Sequence, residues 1–284
     1  MNAALAAALG AAPSRIDHIG GGAAGSVSRA RLANGTTVIA KSAPRGLDTE
    51  AAMLRLLAAR SALPVPAVIH AAPNLLVMQD MPGRSSFSTD AQRHAAQLLS
   101  ALHAVTSPDG SFGLHLDGFI GPLPQPNTPS GSWVEFFRDR RLLHMSRAAA
   151  REGSLPSGLA TRLERLAARL AELIPDRPRP SLIHGDVWSG NVLAAGGRIT
   201  AFLDPAPYHA HAEIELAFIR LFSTFGEPFE RGYQEQAAVS HGDWREFKAV
   251  RCPLYNLYPL LVHVRLFGGQ YAAELESNLC TLGF

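Results

Sequence analysis

Asp186 and Asn191 stand five positions apart in the run Leu182-Ile183-His184-Gly185-Asp186-Val187-Trp188-Ser189-Gly190-Asn191-Val192-Leu193, and a second aspartate follows in Ala201-Phe202-Leu203-Asp204-Pro205. Phosphoryl transfer from ATP to an alcohol calls for this set of groups. One carboxylate orients the acceptor hydroxyl and takes its proton, while an amide oxygen and a second carboxylate hold Mg²⁺ on the phosphates. Asn191 and Asp204 are hard oxygen donors, suited to Mg²⁺ and not to zinc. The order H-x-D-x-x-x-x-N is that of a kinase catalytic loop. Taken alone, Asp186 and Asn191 are also the residue types that shape ordinary turns.

The N-terminal residues supply an independent check. Gly20-x-Gly22-x-x-Gly25-x-Val27 has the form of a glycine-rich loop whose backbone N–H groups approach phosphate oxygens closely. The strand Thr37-Val38-Ile39-Ala40-Lys41 follows and ends on a lysine, placed to reach the α and β phosphates of ATP. Nine residues on, Glu50 falls in the first turn of the next helix, where it could pair with the Lys41 ammonium. Each has a plainer reading by itself: a chance Gly pattern in an Ala/Gly-rich chain, an exposed strand end, and a carboxylate favoured by the helix dipole. Five such features in the right order argue against coincidence.

The elements that must hold these residues can be read in outline. Asn2 to Ala12 has good helix formers throughout and predicts an N-terminal helix ending near Pro13, with Gly10 loosening its last turn. Residues 15–45 read as a β hairpin or meander, with Asn34-Gly35 as a two-residue hairpin turn. Asp48 or Thr49 can cap a helix whose Met53, Leu54 and Leu57 share a face. Val65 to His70 and Leu75 to Gln79 read as two more strands. Thr89-Asp90-Ala91-Gln92 and Ser132-Trp133-Val134-Glu135 are capping boxes opening helices, and Leu159, Leu163, Leu166, Leu170 and Leu173 mark a third. Residues 106–131 are Pro/Gly-rich, a long loop of the kind more often functional than idle. The chain therefore reads as α+β, with a small β-rich N-lobe over about 1–80 and a larger helical C-lobe over 81–284.

Composition narrows the class. The chain has 284 residues, 26 basic against 24 acidic side chains and a formal net charge of +2. That balance lacks the basic field of a nucleic-acid binder. At 47% hydrophobic and 18% charged it is not a disordered chain. Two cysteines, Cys252 and Cys280, make no disulfide framework, and no Cys/His spacing suggests zinc, so a reduced, cytoplasmic setting is expected. No apolar run reaches the ~18 residues of a membrane span. The start resembles a short signal peptide but lacks its basic n-region. Of the 26 basic positions 24 are Arg, and only Lys41 and Lys248 are Lys, which draws attention to each. Arg138-Asp139-Arg140-Arg141 mixes signs and reads as a solvated helix face, with nucleic-acid contact a weaker alternative. His209-x-His211-x-Glu213 fits either a hydrogen-bonded scaffold or, less well, a metal cluster.

The segment His184-Gly185-Asp186-Val187-Trp188-Ser189-Gly190-Asn191 resembles the catalytic loop of the fructosamine kinase family, within the aminoglycoside phosphotransferase-like branch of the protein-kinase-like fold. Trp188 separates it from the wider branch. Gln125 to Phe137, Asp204 to Ala217 and Tyr255 to His263 are similar to further family segments, so the resemblance runs from about residue 10 to 280. It implies a two-lobed kinase fold and ATP- and Mg²⁺-dependent phosphorylation of the sugar 3-hydroxyl of ketosamines, free or protein-bound, a deglycation activity. Matched by position, it implies Asp186 as base, Asn191 and Asp204 as Mg²⁺ ligands, and Lys41 with Glu50 as the phosphate clamp. Gln79 to Met81 would be the hinge that meets adenine, and Trp188, with His184 and Trp133, would line the sugar pocket. Trp133, Phe136 and Phe137 also suit a helix core. Two departures stand out: Ala210 replaces the family's usual Gly, and Glu215 its usual Asp, which puts the anchoring of the catalytic-loop backbone in question. The glycine-rich loop lacks the Cys of some relatives, so no redox switch is expected there. The competing readings are a kinase of the same fold acting on an aminoglycoside, choline or homoserine, and a catalytically silent binding module.

Overall fold

Period-two alternation decides which face of a sheet each side chain meets. In the computed structural model, which describes residues 2–22 and 25–284, it sorts the N-terminal residues cleanly. Helix α1 (Asn2–Leu9) is followed by strands β1 (Arg15–Gly22), β2 (Gly25–Arg31) and β3 (Thr37–Ser42), helix α2 (Leu47–Arg60), and strands β4 (Val68–Ala72) and β5 (Leu75–Gln79). The five strands form one antiparallel sheet in the order β1-β2-β3-β5-β4. Val38 and Ala40 of β3 join Leu75 and Val77 of β5 against Leu5 of α1. Leu76 and Met78 face the other way, with Ile39, against Leu47, Ala51 and Leu54 of α2. Lys41, two residues beyond Ile39, emerges on the α2 face. A one-residue slip of β3 would turn its ammonium under α1 instead.

Three details differ from the sequence expectation. The β2–β3 turn has three residues, Ala33 to Gly35: Leu32 N–H donates to Thr36 O at 2.8 Å, and Gly35 takes φ +84°. A glycine in the left-handed region closes such a turn in keeping with strand twist. Helix α2 is capped not by Asp48 or Thr49 but by Gly46 in the left-handed region (φ +91°), with no side-chain cap. Strand β4 begins at Val68, later than Val65, because Pro64 and Pro66 have no N–H to give a ladder.

The rest is mainly helical. Helix α3 (Thr89–His103) is capped by Ser88, one residue before the expected box, its Oγ accepting from Ala91 N–H at 3.3 Å. Residues 106–131 carry a short hairpin, β6 (Gly118–Ile120) and β7 (Leu123–Gln125). Ser132 caps α4 (Trp133–Phe136) as expected, its Oγ accepting from Glu135 N–H at 3.1 Å. A π-helical stretch, Phe137–Leu142, leads into α5 (Leu143–Arg151), and α6 (Ser157–Ala168) follows. Strands β8 (Ser181–Ile183) and β11 (Tyr208–Ala210) pair, and β9 (Val192–Ala195) pairs with β10 (Arg198–Phe202). Helices α7 (Glu213–Leu221), α8 (Glu227–Ala237), α9 (His241–Glu246), α10 (Cys252–Phe267) and α11 (Ala272–Thr281) complete the chain. Among the described residues no helix is long and apolar enough to cross a membrane.

The basic run Arg138–Arg141 is not a uniformly solvated face. Arg141 is fully buried. The π-helical stretch turns it inward, where it donates to Pro126 O (2.7 Å), Arg140 O (3.0 Å) and Asn127 Oδ1 (2.6 Å). Its guanidinium lies 3.9 Å from the Tyr208 ring centroid and 4.7 Å from that of Phe136. A planar, weakly hydrated cation tolerates such a carbonyl and aromatic cage better than an ammonium would.

Candidate active site

Lys41 is 6% exposed, and it is held from two sides. Its Nζ donates to both carboxylate oxygens of Glu50, at 2.8 and 2.9 Å, and to Asp204 Oδ1 at 2.9 Å. Glu50 arrives from the first turn of α2 and Asp204 from the loop after β10, so one ammonium ties sheet, helix and C-terminal loop together. Burial alone would push the Lys41 pKa down, but the neighbouring Asp204 and Glu50 outweigh it and hold the pKa above its ordinary value. The lysine is therefore a fixed cation. Asp204 reaches its position with φ +50°, a backbone conformation that a non-glycine residue adopts only at some cost.

Asp186 and Asn191 line the same cavity. The Asn191 Nδ2 donates to Asp186 O at 3.1 Å and to Asp186 Oδ2 at 2.9 Å, which closes the loop between β8 and β9 on itself. Burial, then the Asp204 carboxylate, pushes the Asp186 carboxyl up to about 8, against the Asn191 hydrogen bond that lowers it. With its amide nitrogen turned to Asp186, Asn191 keeps its Oδ1 for another partner. That oxygen and the Asp204 carboxylate are the hard donors a Mg²⁺ ion accepts.

The loop is anchored from behind by Glu215, the position where the resemblance led to the expectation of a shorter aspartate. Its Oε1 accepts from Gly185 N–H at 2.6 Å, and its Oε2 from His184 N–H at 3.3 Å and His103 Nε2 at 2.9 Å. The His103 Nδ1 in turn meets Tyr233 Oη at 2.7 Å. Burial pushes the Glu215 carboxyl up, but hydrogen bonding and charge from His103 outweigh it, and its pKa lies below the ordinary value. The extra methylene is thus accommodated, and the carboxylate still reaches the backbone. Sequence reasoning missed His103 and Tyr233. They lie 112 and 18 positions from Glu215, and no local spacing marks them.

Lys41, Glu50, Asp186, Trp188, Asn191 and Asp204 all line one open cavity of about 400 Å³. Trp188 is 44% exposed there. Its indole packs against Gly190, where a Cβ would stand 2.8 Å from Cζ3 and closer still to Cη2. Phe119, Gly121 and Pro122 of the β6–β7 hairpin also line it, so part of the long loop does reach the site.

Two expected pocket residues lie elsewhere. Trp133 is fully buried in the helical core, its Nε1 donating to Tyr255 Oη at 2.9 Å and its ring packed on Phe112, Phe136 and Phe137. His184 is also fully buried, at the end of β8 against Phe202, and burial pushes its pKa down to about 4. Its Nδ1 accepts from Asp186 N–H at 3.3 Å, so it braces the loop and does not face the cavity.

The other glycine-loop and hinge residues sit at the sheet. Gly20, Gly22 and Gly25 fall on the β1–β2 hairpin, while Ala23 and Ala24 between them are outside the described residues. Gly25 has φ +130°, and a Cβ would collide with Ser42 O of β3, so only glycine fits. Gln79 and Met81 are not among the cavity's lining residues. The Gln79 N–H is already given to Ala67 O at 2.9 Å. Asp80 between them binds Arg29 of β2 through two hydrogen bonds of 2.7 and 3.0 Å. His209, His211 and Glu213 do not form a three-residue cluster: His211 Nδ1 lies 3.8 Å from Glu213 Oε2 and faces Tyr255 Oη, and Glu213 pairs with Arg251, but His209 Nδ1 faces Gly113 O.

Comparison with known proteins agrees with this arrangement. The chain is 34% identical over 241 residues to a protein of Synechocystis sp. named as a ketoamine kinase, covering 82% of this chain and 77% of that one. It superposes with TM-score 0.87 and 32% identity on a crystal structure from Thermobifida fusca assigned as a fructosamine-3-kinase, covering 99% and 98% of the two chains. An aminoglycoside phosphotransferase in complex with ADP and hygromycin B shares the fold, at TM-score 0.67 and 17% identity over 99% of this chain and 98% of that one. The profile of the fructosamine kinase family spans residues 12–282, and with these relatives it shows that the chain belongs to the fructosamine kinase family.

Proposed function

We propose that this protein is an ATP-dependent kinase that phosphorylates the 3-hydroxyl of ketosamines, a deglycation activity. The observation that carries this reading is the convergence on one cavity of Asp186, a half-exposed Trp188 and the Lys41–Glu50–Asp204 cluster.

In the reaction, the acceptor oxygen forms a bond to the γ-phosphorus while the bond from that phosphorus to the β,γ-bridging oxygen breaks, and ADP leaves with the electron pair. Asp186 receives the proton of the acceptor hydroxyl. The ionised carboxylate is the base, and with the pKa raised to about 8 in the nucleotide-free site its fraction grows as the pH rises through neutrality. The Asn191 hydrogen bond aims the carboxylate, and the Glu215 carboxylate fixes the loop that carries it. Lys41 supplies a positive charge to the phosphates, with Glu50 as its counter-ion and tether. Asn191 Oδ1 and Asp204 would hold Mg²⁺, which supplies charge neutralisation on the phosphates when bound. The exposed indole of Trp188 offers the sugar ring an apolar face beside the base. Adenine is assigned to the β5 exit beyond Gln79, whose own N–H is already given to Ala67 O, with Asp80 and Met81 supplying the backbone groups, and the β1–β2 glycines are assigned to the phosphates.

The test is phosphate transfer from ATP with Mg²⁺ to a fructosyl-amine, a ribulosyl-amine and an aminoglycoside. Transfer to the ketosamines and not to the aminoglycoside is expected. Transfer only to the aminoglycoside would replace this reading with the other small-molecule kinase.

A further inference from the structure

Residues 43–46 join β3 to α2, and all four, with Leu47, line the active-site cavity. The backbone of this loop is held in place. Ala43 N–H donates to Asn74 O at 3.4 Å and Leu47 N–H to Pro73 O at 3.1 Å, so both ends rest on the β4–β5 turn. Gly46, at φ +91°, packs against the Phe119 ring, where a Cβ would stand 3.4 Å from Cε2. Arg45 stands between Pro44 and this glycine. Neither the β5 exit nor the described β1–β2 glycines line the cavity, so it is the end of the cleft away from the residues assigned to adenine.

The carboxyl groups that line the cavity are already committed. Glu50 and Asp204 bind the Lys41 ammonium, and Asp186 accepts from Asn191 Nδ2. Arg45 differs from all of these. It is exposed, and among the described residues it makes no ion pair and no side-chain hydrogen bond. Asp48, the nearest acidic residue along the chain, accepts from Thr49 N–H at 3.0 Å and does not line the cavity. Arg45 is therefore a lining cation without a partner in the protein. The planar fork of a guanidinium matches a carboxylate with two parallel N–H···O bonds.

We propose that Arg45 is a specificity-determining residue that binds the carboxylate of an amino-acid ketosamine, so that free ketosamines of α-amino acids are preferred to uncharged ones. The inference rests on the ketosamine-kinase reading given above. A ketosamine carries its nitrogen on C1 and the reacting hydroxyl on C3. With that hydroxyl at Asp186 and the sugar ring on Trp188, the amine substituent is the part left to reach Arg45. In an α-amino acid the carboxylate stands one carbon beyond the nitrogen. A cavity of about 400 Å³ is large enough for the whole conjugate.

The fructosyl and ribulosyl conjugates of glycine and of glycinamide make two matched pairs, equal in size and different in charge. Their KM and kcat are measured at saturating ATP and Mg²⁺ for wild type and Arg45→Gln, with KM for ATP measured alongside. In the wild type the acid is expected to have a KM about five-fold below that of its amide, the worth of an exposed ion pair of good geometry. Arg45→Gln is expected to bring the two to about the same KM by raising that of the acid, with the change in KM and not in kcat. Equal KM values in the wild type, a preference that survives in the variant, or a loss that appears in KM for ATP would each overturn the proposal and leave the kinase reading standing. Transfer to none of the four conjugates overturns that reading and this one with it. The Arg45 side chain is exposed and bonded to nothing among the described residues, so its replacement leaves the fold intact.

Discussion

Asp186→Asn separates stability from catalysis, and the structure gives the size of the effect. Folding places the Asp186 carboxyl in a partly buried site beside Asp204 and lifts its pKa from an ordinary 3.8 to about 8. A carboxyl whose folded pKa lies above its unfolded one contributes most below about pH 4, and that contribution is lost as the pH rises toward about 8. Near pH 7 the interval already crossed is about three units, at about 1.4 kcal/mol each, or ~4 kcal/mol as an upper bound. The cavity is open, and water and loop relaxation screen part of this. We expect the nucleotide-free variant to be about 1–3 kcal/mol more stable than wild type at pH 8. An amide does not titrate, and its oxygen accepts the Asn191 Nδ2 bond that now reaches Oδ2 at 2.9 Å. The gap between variant and wild type therefore opens above about pH 4 and levels off above about pH 8. The assay is urea unfolding from pH 5 to pH 9 without nucleotide or Mg²⁺, with phosphate transfer measured in parallel and expected to be lost. A variant no more stable than wild type at pH 8, or a gap independent of pH, refutes the charge-crowding argument. Retained transfer refutes Asp186 as the base.

Gly190→Ala forces the Trp188 indole off its seat, and steady-state kinetics should show KM for the ketosamine raised about ten-fold, with KM for ATP unchanged. Glu215→Gln turns an amide N–H₂ toward donors that now bond a carboxylate. Denaturant unfolding should show a loss of about 2–4 kcal/mol, and kcat should fall while KM for ATP holds. Lys41→Arg should lower kcat/KM at least about 100-fold, and an unchanged value would remove Lys41 from the phosphate site.

How far the sequence reached depended on whether the signal was local. The alternation along Val27–Leu32 and the short apolar runs Thr36–Lys41 and Leu75–Gln79 showed the sheet, because these signals are written in consecutive residues. The Lys41–Glu50 pair followed from a strand running into a helix nine residues later, and the structure joins them at 2.8 Å. Trp133, His184 and Arg141 were misplaced because residue type does not say which side of an element faces the core. A tryptophan at the first turn of a helix suits a pocket or a core equally, and Tyr255, which accepts its N–H, lies 122 positions away. Arg141 is turned inward by a π-helical stretch, a departure from the 3.6-residue period that no periodicity count anticipates. The cap at Ser88 was missed by one residue because Ser88 and Thr89 are chemically equivalent candidates and only the backbone angle separates them.

The scarcity of lysine acquires a physical meaning at Lys41. An ammonium has three donors in a compact tetrahedral array, and here all three find carboxylate oxygens, two on Glu50 and one on Asp204. A guanidinium is planar and broad, with donors directed in one plane. It could take the Glu50 carboxylate as a fork, but it could not also turn a donor out of that plane toward Asp204. In a chain that uses Arg at 24 of 26 basic positions, Arg141 shows where the planar group is suited, between carbonyls and aromatic faces. Lys41 shows where it is not, since the charge must be small enough to sit among three oxygens from two elements and to be shared with the phosphates. Lys41 and Arg141 are thus not interchangeable, and each sits in the coordination geometry its shape can satisfy.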